Sequence, residues 1–115
     1  MAKKHDVIIV GMGLASLATA ARLWELGVKD IGIYTTAYGG TPFIAAINFV
    51  LPDNPYNDTT EQYNDDMIHA GYGINNRGLV KEMTDSTMEG YNLLRRWGVE
   101  FASNADGTTK LRHLS

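Results

Sequence analysis

The sequence predicts an α/β fold in which a parallel βαβ unit leads into a long loop and two helices. Three observations carry this expectation. An unbroken apolar run, "VIIV", passes straight into Gly11-Met12-Gly13. A helix-like stretch rich in small residues follows at once. A second apolar run, "IGIY", starts at Ile31, on the schedule of a βαβ unit of roughly 30 residues.

Residues 6–10 form the first expected strand. A continuous Val/Ile run without alternation is the pattern of a strand buried on both faces. The first helix is expected over residues 14–26, where Leu14, Leu17, Ala18, Ala21 and Trp24 recur at helical spacing. Ala15, Ser16, Ala18, Thr19 and Ala20 leave one face thin enough to lie close to a sheet. Gly27 then stops the helix as a left-handed cap. Residues 31–34 form the second strand, parallel to the first and reached by a right-handed crossover.

Residues 35–58 break the regular pattern. They hold Gly39-Gly40, Pro42, Pro52, Pro55 and several Asn and Asp residues, so they read as loop. An apolar piece over residues 43–51 contains Asn48 and is too rich in Ile, Phe and Val for disorder. Long loops in compact domains are commonly functional, and this piece is expected to face a ligand or to pack.

Asp58-Thr-Thr-Glu61 is a helix start, and that helix should run to Ala70 and end at Gly71 and Gly73. Asn76 is placed to cap one longer helix through Leu79, Val80, Met83, Thr87, Tyr91 and Leu94, closed by Gly98. Val99-Glu-Phe101 reads as a short strand, and residues 103–109 as a polar turn around Asp106-Gly107. The expected organisation is one portion of a domain over residues 1–115, with the βαβ unit and its loop in 1–50 and a helical extension in 51–115.

Composition removes several classes of function. The net charge of -3 is mild and the ten basic residues are scattered, which argues against nucleic acid or an anionic membrane surface as the main partner. No apolar run approaches the ~20 residues of a membrane span. Lys3-Lys4 is followed by Asp6 and only four apolar residues. That run is too short for a signal peptide, so a cytoplasmic location is expected. The absence of cysteine excludes disulfides, thiolate metal sites and a cysteine nucleophile. His5, His69 and His113 lack metal-ligand spacing and read as surface or locally hydrogen-bonded residues.

The glycine pair carries the chemistry. In a Rossmann-like dinucleotide fold, one glycine permits the tight turn out of the strand and a second leaves no side chain against the pyrophosphate. A third lets helix and strand approach closely. Gly11 and Gly13 meet the first two needs, with Met12 between them, and Ser16 is a small substitute at the third. The pyrophosphate then rests on the N–H groups at the start of the helix, near Leu14 and Ala15. Two glycines alone also suit a plain βα turn. The strand before, the small-residue helix after and the second strand on schedule favour a nucleotide. The acidic residue that should grip the ribose is replaced by Thr35, followed by Thr36. A threonine can accept one hydrogen bond from a ribose hydroxyl but cannot chelate two.

The order of segments resembles the fumarate reductase, succinate dehydrogenase and L-aspartate oxidase flavoproteins over nearly the whole chain. The matching stretches are "DVIIVGMGLASLATAARLWELG", the loop "YGGTPFIAAIN", the acidic helix with Ala-Gly-x-Gly in "DTTEQYNDDMIHAGYGINNRGLV", and "LLRRWGVEF". The resemblance implies FAD, bound non-covalently because no histidine adjoins Thr41. It implies that Gly40 and Thr41 meet the phosphates or ribityl chain, and that Ala46 and Asn48 lie near the flavin. The family's Gly-Gly-Ile beside the ring is replaced by Ile47-Asn48-Phe49, and a hydroxyl residue at Thr35 is similar to the aspartate oxidase branch.

The family's substrate-binding and proton-donating residues follow the region reached here. The resemblance therefore implies no catalytic residue in this chain and an incomplete domain completed by another chain. It points to a hetero-oligomeric oxidoreductase acting on a small carboxylate or enoate. Two other readings stay open: a degenerate dinucleotide-fold subunit that stabilises a partner, and a plain nicotinamide-binding protein, ranked last because the Gly39-Gly40 loop and the Ala-Gly-Tyr-Gly segment have no place in it.

Overall fold

The computed structural model describes residues 4–43 and 46–112. They form two compact units, one ending at Ile47 and the other beginning at Asn48.

In the first unit, strand β1 (Val7–Val10) pairs in parallel with β2 (Ile31–Tyr34), from Val7 opposite Ile31 to Val10 opposite Tyr34. Helix α1 (Leu14–Glu25) makes the crossover and packs against β1. Its end is a Schellman motif: Gly27, at φ +94°, donates to the Trp24 carbonyl, and Val28 donates to the Leu23 carbonyl. The glycine terminates the helix as the sequence indicates.

Burial departs from expectation. Val7 and Ile9 are half-buried, but Ile8 is 56% and Val10 84% exposed, so β1 is not covered on both faces. Helix α1 packs against this strand, yet none of its own residues is buried among those described. The described residues therefore leave the unbroken apolar run of β1 partly uncovered.

His5 fastens the entry to β1. Its Nδ1 lies 2.7 Å from Asp30 Oδ1 and its side chain is only 8% exposed. The ring occupies the space a side chain on buried Gly32 would need, since a Cβ there would come within 2.6 Å of it. This is the locally hydrogen-bonded histidine the sequence indicates. His69 is exposed, and His113 lies outside the described residues.

In the second unit, Asn54 organises the lead-in loop. Its amide donates to the Leu51 and Asp58 carbonyls, and its Oδ1 accepts from the Tyr56 and Asp58 N–H groups. Helix α2 (Thr60–Ala70) starts where Thr59 Oγ1 accepts from Gln62 N–H at 3.1 Å, and Gly71 follows its end. Helix α3 (Arg77–Asp85) is capped by Asn76, whose Oδ1 accepts from the Gly78 and Leu79 N–H groups. Helix α4 (Thr87–Arg96) follows, with Gly98 at φ +88° beyond it.

Two expectations are corrected here. The single long helix from Asn76 is two helices, divided at Ser86. Three successive hydroxyls bond back onto the helix: Thr84 to the Lys81 carbonyl, Ser86 to that of Glu82 and Thr87 to that of Thr84. Such back-bonding competes with the helical ladder and bends it. Residues 99–101 form no strand. Phe101 instead joins an aromatic cluster, with its ring centroid 5.2 Å from Tyr91 and 5.8 Å from Phe49. The pairing appears further on, as an antiparallel bridge between Ser103 and Thr109 across the Asp106-Gly107 turn. Tyr91, 6% exposed, is the buried apolar side chain among the described residues.

Candidate functional site

The site begins where β1 ends. Gly11 still belongs to the sheet, donating its N–H to the Tyr34 carbonyl at 2.8 Å, but it then turns at φ +100°. A side chain would be strained in that conformation. The chain next reaches Gly13, the N-cap of α1, in extended backbone. A Cβ built on Gly13 meets nothing within 4 Å, so its missing side chain leaves open space rather than serving internal packing.

The helix start is equally open. The first intrahelical bond runs from Leu17 N–H to the Gly13 carbonyl, so the N–H groups ahead of it have no intrahelical acceptor. No side chain caps this end, and no acidic residue lies in the first turn. Leu14 and Ala15 are exposed, Met12 half-buried. Ser16 fits the third position: its Oγ would sit 3.7 Å from a Cβ on Gly11, ordinary contact.

The segment after β2 closes against this turn. Gly39 donates its N–H to the Met12 carbonyl at 3.0 Å. A Cβ on Gly39 would lie 2.5 Å from the Gly13 Cα and 2.9 Å from the Met12 oxygen. Gly40 is exposed, with nothing near its Cβ position, and its carbonyl accepts from Phe43 N–H. Thr41 is half-buried and opens a short 3₁₀ turn, Thr41–Phe43. The Thr35 hydroxyl bonds both backbone groups of Ala37, donating to its carbonyl and accepting from its N–H. Thr36 and Ala46 are exposed.

A cap-free helix start, no competing carboxylate and an unfilled space at Gly13 suit a doubly charged pyrophosphate, which the amides and the helix dipole would hold. The sequence model of a family described as "FAD binding domain" matches residues 6–115. The chain belongs to this FAD binding domain family. Its cofactor is FAD.

This FAD binding domain chain is also similar to the acrylate reductase flavoprotein subunit of Shewanella woodyi (strain ATCC 51908 / MS32). The identity is 28% over 107 residues, covering 86% of this chain and 21% of that protein. The chain thus spans about a fifth of that relative's length. No solved structure matches it.

Within the FAD binding domain, the structure gathers Gly11, Met12, Gly13, Leu14, Ala15 and Ser16 into one turn and sets Gly39 on it. Asn48 falls at the start of the second unit. Gly39 is the residue that sequence reasoning missed. In the sequence it stands only as half of the Gly39-Gly40 pair. Among the described residues, the glycine turn from Gly11 to Ser16 carries no titratable side chain.

The second unit contains an open cleft of about 380 Å³, lined in part by Arg95, Glu100, Phe101, Ser103 and Thr109, none of them an expected site residue. Arg95 Nη1 donates to Tyr91 Oη, which also shares a hydrogen bond with Thr109 Oγ1. Among the described residues, no cluster of His, Cys, Asp or Glu could hold a metal, and no helix is long and apolar enough to cross a membrane.

Proposed function

We propose that this chain is the ADP-cradling portion of a flavoprotein oxidoreductase that holds FAD non-covalently and acts on a small enoate or carboxylate. The observation that carries the reading is the open space at Gly13, beside the cap-free start of α1. The pyrophosphate would rest on the N–H groups of Gly13, Leu14 and Ala15, with Gly11 making the turn, Met12 contributing backbone and Ser16 packing beneath. Thr35 and Thr36 would lie on the adenosine side. Gly40 and Thr41 would meet the phosphates or ribityl chain, and Ala46 and Asn48 the flavin. When bound, FAD supplies electron or hydride exchange with the substrate. This chain's residues bind and orient it.

The substrate class is supported by the likeness to an acrylate reductase flavoprotein subunit. Non-covalent attachment is supported by the absence of histidine beside Thr41. A second polypeptide is supported by exposed apolar surface on the βαβ unit: Ile8, Val10, Leu17, Trp24 and Leu26 are each 47% exposed or more. Parallel strands need cover on both faces, and a two-stranded pair is marginal alone. On this reading the proton donor and substrate pocket belong to sequence outside residues 1–115.

The reading is tested on the purified complex. It should be yellow, with flavin absorbance, and acid precipitation should leave all of the flavin in the supernatant. Flavin pelleting with the protein would refute non-covalent attachment. A colourless complex that refuses added FAD would favour the degenerate, partner-stabilising module.

A further inference from the structure

We infer that Gly39 is a positioning residue for FAD, holding the Met12-Gly13 backbone in place without touching the cofactor itself. The inference rests on the cofactor assignment above. The two glycines at this point lack side chains for opposite reasons. Gly13 has empty space where its Cβ would be. Gly39 has none: a Cβ there would lie 2.5 Å from the Gly13 Cα and 3.1 Å from its nitrogen, with the Met12 oxygen at 2.9 Å. All three obstacles are backbone atoms, which cannot swing aside as a flexible side chain can.

The approach is also bonded. Gly39 N–H donates to the Met12 carbonyl at 3.0 Å, while Gly11 N–H donates to the Tyr34 carbonyl at 2.8 Å. The turn between β1 and α1 is thus tied to the chain at and beyond the end of β2 by two hydrogen bonds. A methyl group on Gly39 breaks the Gly39–Met12 bond by pushing the peptides apart. The displaced atoms are those of Met12 and Gly13, the backbone on which the pyrophosphate depends. Gly39 therefore transmits the position of the loop after β2 to the glycine turn.

The test uses the purified complex in which this chain carries either Gly39→Ala or Gly32→Ala. Gly32 sits mid-strand opposite Ile8, and a Cβ there meets the His5 ring at 2.6 Å, so its substitution damages the same unit away from the turn. In FAD-free protein, Gly39→Ala should shift the amide resonances of Met12, Gly13 and Leu14, and Gly32→Ala should not. In fluorescence titrations with FAD, Gly39→Ala should raise Kd by about tenfold or more, while Gly32→Ala stays within about twofold, even with an equally lowered thermal melt.

Wild-type affinity in Gly39→Ala overturns the inference, as does an equal loss in Gly32→Ala. Should Gly39→Ala fail to fold, hydrogen exchange on the wild type decides: the Gly39 amide is expected to be protected, and free exchange overturns the tie. A wild type that takes up no FAD overturns the cofactor assignment instead, a result distinguishable from the others.

Discussion

The two units of this chain are held in shape by different means. The βαβ unit is shaped by backbone: a parallel strand pair, a left-handed turn at Gly11 and a peptide-to-peptide contact between Gly39 and Gly13. Its apolar side chains are largely unused, with Val10 84% exposed. The second unit is shaped by side chains. Thr59, Asn76 and Asn54 satisfy backbone groups at helix starts and turns, and Tyr91, Phe49 and Phe101 form an aromatic core. The difference teaches that backbone contacts set the shape of the first unit and side-chain caps with an aromatic cluster that of the second, while both expose apolar side chains. Substitutions should therefore separate the two, costing cofactor in one and stability in the other.

The largest effect is expected at Gly13. Gly13→Val fills the open space, where its Cβ meets nothing within 4 Å, so the unit should fold while flavin retention is lost. Absorbance of the purified variant at the flavin bands reads this directly. Wild-type-like absorbance would remove the glycine turn from the cofactor site.

In the second unit, Tyr91→Ala removes the buried ring, its contacts with Phe49 and Phe101, and its hydrogen bond with Thr109. Loss of a buried aromatic costs about 3–5 kcal/mol, which denaturant titration of the chain should show. A loss under about 1 kcal/mol would mean that this cluster is not the core of the unit.

A smaller effect is expected at the caps. Asn76→Ala leaves two N–H groups of α3 without their acceptor and should cost about 1 kcal/mol. Asn76→Asp, which keeps an acceptor, should restore most of it. Equal midpoints for Asn76→Ala and wild type would show that the cap contributes nothing.

What was legible in the sequence follows the same division. Strands β1 and β2, the Gly27 stop, the helix start within Asp58–Glu61 and the cap at Asn76 could be read because each depends on neighbours within a few residues. The break at Ser86 could not, because Thr84, Ser86 and Thr87 also suit a helix surface, and only their back-bonding divides it. Residues 99–101 have strand-like composition, but Phe101 is drawn to Tyr91 and Phe49, contacts distant in sequence. Gly39 was legible only as half of a Gly-Gly pair, since its need for glycine arises from Gly13, 26 positions earlier.

The smallest effect concerns pH. The side-chain and backbone donors of Thr108 hold the Asp106 carboxyl below its usual range. The folded value is lower than the unfolded one, so the stabilisation is fully present above the unfolded value near 3.8 and is lost as pH falls through the folded value. Asp106→Asn should flatten the acid limb of the stability curve slightly, read from denaturation midpoints over roughly pH 5 to 2. An unchanged limb would show that this turn adds no pH dependence.

The central claim is that the FAD pyrophosphate rests on the first amides of α1. Amide chemical shifts of the isotope-labelled chain within its purified complex, recorded while FAD is added, test it most directly. The account predicts large, saturating shifts at Gly13, Leu14 and Ala15, with Gly90 and Gly107 in the second unit unmoved. Saturable FAD binding that leaves the amides of Gly13, Leu14 and Ala15 in place would contradict it.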